Sequence, residues 1–594
     1  MVKLRALKLR LRKRLRSQRH TVENLSTQTE KNFDQNLFNR LNKFGMVWRF
    51  VSIWLLLLIL LLGCLVAQNQ ALSSYYQHPS PVPGGIYSEG TLGSFTNASP
   101  LYATSDVDST VSRLIFSGLF RTDNTNKLVG DLATSWEVDA KGTTYTVHLR
   151  PNLIWQDGKP LTADDVAFTY HVIQNPDAQS PLNSSWQNIT VTALNATTVT
   201  FKLSNPLASF IHTLKNGIVP AHILKSVPAS DLRSVSFNTQ NPIGSGPFEW
   251  NDIQVRGTGP ANAEVQIALK PFANYWQGRP KLESFVVHAF ASKQAMIDAY
   301  KARNITAMTG LDEMPASISE TGDTVIHNLR LNAATMVFFK TSTGILSDTK
   351  VRRALIEAID IKAVLAKLEY QARPVNEPLL KDQLGYNPAY AQVGYNEVQA
   401  KTDLTAAGWQ PGPKGILQKA GQDLRFSLFA GQNAEYSKVA TALKDQWRAI
   451  GVDVQVNVQP SEDFKNTLAG HTYDAVLHGI TIGSDPDVFV YWHSSQTDVR
   501  SANRLNFSEY KSADADSSLQ AGRSRIDPAL RAIKYQSFLA NWQQDAPAFG
   551  LYQPRYLYIT HGPVYGLNDH GISAGIDRLS GVEDWMIRTA NVTN

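Results

Sequence analysis

Beyond residue 85, apolar positions alternate with polar ones in short runs, then recur at helical spacing, with no fixed-period repeat. In TYTVHLR, Tyr145, Val147 and Leu149 share one side, and in TTVTFKL so do Val199, Phe201 and Leu203. A period of two predicts half-buried strands. In NAEYSKVATALKDQWRAIGVDVQVNVQ, residues Tyr436, Val439, Leu443, Trp447 and Ile450 fall at helical spacing and predict one buried stripe. Gly451 then supplies a left-handed cap, and Val452, Val454, Val456 and Val458 alternate as a strand. A second helix is predicted in SDTKVRRALIEAIDIKAVLAKL, with Val351, Ala354, Leu355, Ala358 and Ile359 inward. Helix feeding strand in this way implies a mixed α/β body of more than one lobe.

One stretch, LIWQDGKPLTADDVAFTYHVI, places Asp157, Asp164 and Asp165 close together and poses the question of catalysis. Each acid has a local duty. Gly158 and Pro160 stop the strand, and Asp157 before Gly158 is turn chemistry. Thr162 and Asp165 stand in capping-box relation, and Asp164 adds negative charge where a helix dipole favours it. Val166, Tyr170 and Ile173 then face inward. The acids read as the punctuation of a strand–turn–helix.

Charge changes the picture only at the N-terminus. Residues 1–50 hold 13 Lys/Arg against 3 Asp/Glu, which leaves 44 against 48 in the remainder. The +6 of the whole chain therefore belongs to the tail, and the body offers a nucleic acid no electrostatic partner. After the tail, Phe50–Ala67 is an uncharged run of 18 residues, and the next formal charge is Glu89. A spanning helix needs about 20 mostly apolar residues. Trp48 and Trp54 suit an interface, and the cations before the run put the N-terminus in the cytoplasm and the body outside. A cleaved signal peptide competes with this anchor, as does lipidation of Cys64 in LLGC. Residues 73–85, SSYYQHPSPVPGG, read as a spacer. Cys64 is the one cysteine, so disulfides and thiolate metal sites are excluded from the exported body.

Several segments together resemble a known family: YSEGTLGSFTNASPLY (87–102), LVGDLATSWEVDAKGTTYTVHLRPNLIWQDGKPLTADDVAFTY (128–170), NPIGSGPFEW (241–250), YWQGRPKLESFVV from Tyr275, SDTKVRRALIEAID, SDPDVFVYWHSSQ (484–496) and DPALRAIKYQSFLANWQQDAPAFGLYQP. In this order they resemble the family 5 extracellular solute-binding proteins, the peptide-binding receptors of ABC importers, over about residues 84 to 590. The resemblance implies a two-lobe α/β clamshell of class II, with an inserted subdomain and one N-terminal transmembrane helix ahead of it. Mapped here, 1–49 is a basic cytoplasmic tail, 50–67 the transmembrane helix and 68–83 a linker. Lobe I takes 84–115, 240–330 and 558–594, the inserted subdomain 116–239, and lobe II 331–557.

What the resemblance implies for function is capture, not catalysis. A peptide would lie between the lobes of a monomeric, membrane-anchored extracellular or periplasmic receptor, which passes it to an ABC permease driven by ATPase subunits. No cofactor or metal is expected. Ligand-binding candidates carried over from the resemblance are Ser88, Glu89 and Gly90, the aromatics Trp155, Phe339, Tyr491 and Trp492, and Ile482, Gly483 and Asp485. In peptide-binding relatives a carboxylate just upstream of Asp485-Pro486-Asp487 pairs with the ligand's α-amine. Here that position is Ile482, so either Asp485 or Glu89 substitutes or the ligand brings no free amine.

Three rivals remain at this level. A metal chelate or an oligosaccharide would fit the same fold, although the thirteen histidines form no H-x-x-H or H-x₃-H pair, His471 and His478 being seven apart. An exported hydrolase would need a nucleophile elbow, a zincin helix or two opposed carboxylates. Neither a G-x-S-x-G elbow nor an HExxH helix is recognised along the chain, and GSGP at 244–247 lacks an identifiable His/Asp partner. A sensor or scaffold that keeps the fold without transport is the third.

Overall fold

The computed structural model describes residues 39–593 apart from 124, 257–263, 319–322, 502–503 and 568–570. The basic tail before Asn39 lies outside the described residues. Two compact units emerge, Met1–Ser80 with Thr589–Asn594, and Pro81–Arg588. In the first, a single helix runs Asn39–Tyr76. Its stretch Phe50–Leu72 is long and apolar enough to cross a membrane and none of it is buried. The helix therefore continues past residue 67, through part of the expected linker, because nothing between Gln68 and Tyr76 is a helix breaker. Strand Gln77–Val82 follows.

The second unit is built on two large sheets. One has seven strands in the order Thr324–Arg330, Arg555–His561, Ala307–Thr309, Ile86–Leu92, Ser284–Phe290, Glu264–Pro271 and Phe248–Arg256. Ile86–Leu92 is parallel to both of its neighbours. The other has six, in the order Arg373–Pro374, Ala548–Gln553, Ala333–Phe339, Ala475–Thr481, Arg425–Gly431 and Asp453–Gln459. The chain passes between these sheets twice, at Leu331–Asn332 and at Pro554. There the Leu331 N–H donates to the Pro554 carbonyl (3.0 Å) and the Gln553 amide to the Leu331 carbonyl (3.2 Å). The second lies a few residues before 557/558, since the strand from Arg555 already belongs to the seven-stranded sheet. A four-stranded antiparallel sheet, in the order Ala133–Val138, Thr144–Leu149, Thr198–Lys202 and Thr190–Asn195, makes the inserted subdomain. Its core is continuous with one face of the seven-stranded sheet.

Local chemistry accounts for these elements. Tyr145, Val147, Leu149, Val199 and Phe201 are all buried on paired strands. Helix Ala434–Ala449 buries Val439, Leu443 and Trp447, and Gly451 takes φ +84° before the strand, a conformation costly for any side chain. Val458 stays exposed because Asp453–Gln459 is an edge strand. At the expected capping box, the Asp165 carboxylate accepts the Thr162 N–H (2.9 Å) and, with its other oxygen, the Ala221 N–H (2.9 Å). Asp157 accepts from Lys159 N–H (3.1 Å) and pairs with His222 (2.8 Å). Helix Thr349–Glu357 hides a feature its apolar stripe does not announce. Arg352 is buried and donates to the carbonyls of Leu346, Ser347, Asp545 and Ala546. Two of these carbonyls end helix Pro528–Asp545, where a cation complements the dipole.

Candidate functional site

The two sheets and the subdomain meet at the loop that follows strand Ala475–Thr481. The main-chain N–H groups of Ile482 and Gly483 both donate to the Asn332 carbonyl at the first crossing, each at 2.9 Å. Gly483 sits at φ +79°, and its carbonyl accepts the Gln383 side-chain amide (2.7 Å). The turn is thus anchored at the first crossing before it reaches its acids.

Both acids are already matched. Asp485 forms a two-pronged pair with Arg531 at 2.6 and 2.7 Å, while the Arg531 Nε donates to the Gly522 carbonyl (3.0 Å). Burial works against the Arg531 charge, yet the Asp485 contacts hold its pKa above the ordinary value. Asp487 accepts from Arg523 (3.0 Å), whose guanidinium lies 4.1 Å above the Phe489 ring.

The loop also touches the inserted subdomain across more than 270 residues of sequence. Ser209 donates to Asp487 (3.0 Å), and the Ser484 hydroxyl lies 2.9 Å from His212 Nδ1. His212 Nε2 is 3.9 Å from Asp485. Burial lowers the His212 pKa first. Asp485 pulls it upward, and Lys215 and Arg531 push it further down. Segment Leu207–Leu214 thereby binds lobe II directly.

The residues expected from the sequence separate into three groups. Ile482, Gly483, Asp485, Tyr491 and Trp492 share the loop and its short helix. Ile482 is packed in the core beneath it, Trp492 is buried beside Phe338 and Trp542, and the Tyr491 hydroxyl donates to the Thr481 carbonyl (3.0 Å). Ser88, Glu89 and Gly90 lie on the central strand of the seven-stranded sheet. Glu89 is wholly buried, pairs with both prongs of Arg578 and accepts the Tyr558 hydroxyl (2.7 Å). It is an internal tie, not a free counter-charge. A Cβ on Gly90 would come within 2.6 Å of Ile305, so glycine there serves packing. Ser88 borders an open cavity of about 380 Å³ with His288, Glu264 and Gln266. The last group, Trp155 and Phe339, is fully buried in two different cores.

Sequence reasoning passed over Arg523, Arg531, Arg578, Ser209 and His212. Arg523 and Arg531 carried a signal, as cations in the last turn of one helix and near the start of the proline-started helix that follows. The partnership of Ser209 and His212 with the loop has none in sequence, for it depends on a tertiary approach. Among serines, Ser245 of GSGP has a buried hydroxyl with no hydrogen-bond partner among the described residues. The G-x-S-x-G spacing does occur, at Gly571–Gly575. There Ser573 accepts from the Asn332 side chain (3.3 Å) and its N–H donates to Asp577 (3.1 Å), so its partners among the described residues are those of a turn.

Comparison with known proteins places this geometry. Residues 127–501 match the family model for bacterial extracellular solute-binding proteins, family 5 middle. The oligopeptide-binding protein AppA of Bacillus subtilis is 27% identical over 522 residues, which is 85% of this chain and 92% of that one. The structure of AppA with a nonapeptide superposes with a TM-score of 0.64 at 26% identity, over 86% of this chain and all of the other. The structure of NikZ from Campylobacter jejuni with Ni(L-His) superposes with a TM-score of 0.68 at 24% identity, over 84% of this chain and 99% of that one.

Proposed function

Since the chain belongs to the family 5 bacterial extracellular solute-binding proteins, we propose that it captures peptides between its two lobes and delivers them intact to an ABC-type permease. The coarser part stands on family membership: the chain is an extracellular solute-binding receptor of the kind that serves ABC importers. The observation that carries the finer part is the double crossing at Leu331–Asn332 and Pro554, with one lobe's acidic loop anchored on it. Two adjacent crossings let the lobes hinge at a few residues while restricting how they twist against each other. A ligand closed between them is held by main-chain bonding, which accepts many sequences.

Delivery also needs the body held at the membrane, and helix Asn39–Tyr76 with its apolar run Phe50–Leu72 supports an uncleaved anchor. Carbonate washing of cells making the full-length chain should leave it in the membrane pellet. Native mass spectrometry of the full-length chain in detergent, mixed with a tryptic digest, tests capture. One peptide per chain, returned at its original mass, supports the reading. Shortened peptides in the eluate would replace it with hydrolysis.

A further inference from the structure

A cavity of about 330 Å³ lies between the turn that ends strand Thr144–Leu149 and the segment that follows strand Glu264–Pro271. It shares no residue with the loop around Asp485 or with either crossing. Arg150 on its wall is held in one pose. The guanidinium lies 3.6 Å from the centre of the Trp276 ring, and its Nε donates to the Asp131 carbonyl (2.7 Å). Trp276 is fixed in turn, its indole N–H donating to the Asp131 carboxylate (2.9 Å). The other oxygen of that carboxylate stands 3.8 Å from Arg113. The two terminal nitrogens of Arg150 have no hydrogen-bond acceptor among the described residues. Arg150 is also the one charged residue among the described residues that line the cavity.

Polar groups stand around this fork. Asn152 and Asn274 bring exposed amides, and Ser245, itself 4% exposed, keeps a hydroxyl with no partner among the described residues. Leu132, Leu153 and Phe272 make the remaining wall apolar. A guanidinium fixed through its Nε and by stacking presents a flat, two-pronged edge that matches a carboxylate, and it has little freedom left to lose when one arrives. One cation answers one negative charge, whereas a phosphate dianion would keep a second unanswered. Amides beside an apolar wall suit hydroxyl groups on a ring or short chain. We propose that this cavity is a second ligand site, separate from the cleft between the lobes, and that it takes a small hydroxylated carboxylate of the sugar-acid kind.

The test is titration calorimetry of the full-length chain, in a detergent without a sugar head group, with glucuronate, glucose and glucose 1-phosphate. One glucuronate per chain is expected, with glucose at least about tenfold weaker because it offers the fork no charge. Arg150→Lys keeps the charge but loses fork and stack, and should weaken glucuronate about tenfold or more. Asn274→Ala, at an exposed position, should weaken it several-fold with no change in melting temperature, which separates a lost contact from a lost fold. Glucuronate should bind as well to chain already saturated with a randomised synthetic octapeptide library. Its displacement by those peptides would move the carboxylate into the interlobe cleft and overturn the second site. Absence of glucuronate binding, equal affinity for glucose, or full affinity in both variants would also overturn it. A preference for glucose 1-phosphate would overturn the assignment of a carboxylate.

Discussion

The Asp485–Arg531 pair gives a prediction whose size follows from its geometry. Asp485→Asn replaces an acceptor-only carboxylate by an amide whose NH₂ confronts a guanidinium, so at best one of the bonds at 2.6 and 2.7 Å survives. Arg531 keeps its bond to Gly522 and cannot leave, because its helix is packed through Tyr535, Phe538 and Leu539. A buried charge stripped of its partner costs roughly 3 kcal/mol, about a hundredfold in the local opening equilibrium. Hydrogen–deuterium exchange should therefore quicken by about that factor at amides of 482–488 and 528–535. Exchange on the far sheet, at Ile86–Leu92, should not change. Adding Arg531→Met to Asp485→Asn should recover most of the loss, since an apolar replacement of both partners removes the stranded charge. Unchanged exchange in Asp485→Asn, combined with lost peptide capture, would refute this reasoning and make the carboxylate a ligand contact.

Other consequences can be checked separately. His212 has a lowered pKa where it faces Ser484, Asp485, Lys215 and Arg531, so the folded state binds fewer protons there than the unfolded one, and this contact should weaken as pH falls below about 6.5. Exchange at 207–214 should quicken on going from neutral to mildly acid solution, and His212→Gln should flatten that dependence. Glu377 is buried and its pKa is pushed up to about 8, with one carboxyl oxygen lacking a partner among the described residues. Folding is therefore penalised progressively as pH rises above the ordinary carboxyl range. Glu377→Gln should remove that penalty, raise the melting temperature most near pH 8 and abolish a protonated-carboxyl infrared band. Gly244→Ala places a Cβ 2.0 Å from the Ile115 carbonyl oxygen and should prevent folding, visible as loss of near-ultraviolet circular dichroism. Ser245→Ala deletes only a hydroxyl that has no partner among the described residues and should leave peptide capture and stability intact.

Much of the fold was legible because periodicity reports burial. The stripes ending at Ile450 and Ile359 and the alternation through Val147 and Phe201 each appear in the cores as expected. Arg352 broke the pattern, since its burial depends on carbonyls offered by a helix end far along the chain. The linker was misjudged for a related reason: Ser73 to Tyr76 extend a helix already nucleated by the apolar run before them. At the site, the chain shows which residues are charged but not which charges are answered. Glu89 and Asp485 look alike as free acids until Arg578 and Arg531, 489 and 46 positions away, are seen holding them. Trp155 and Phe339 show the converse, aromatics expected at a cleft that the cores have taken.

The proposed function requires that the two lobes close on a solute about the crossings at Leu331–Asn332 and Pro554. Spin labels at Leu194→Cys on the inserted subdomain and Val398→Cys on lobe II, both exposed, in a Cys64→Ser full-length chain, read that closure directly. Pulsed dipolar spectroscopy in detergent should show a broad distance distribution without peptide, collapsing to one short distance when the octapeptide library is added. A distribution that peptide leaves unchanged would contradict the account.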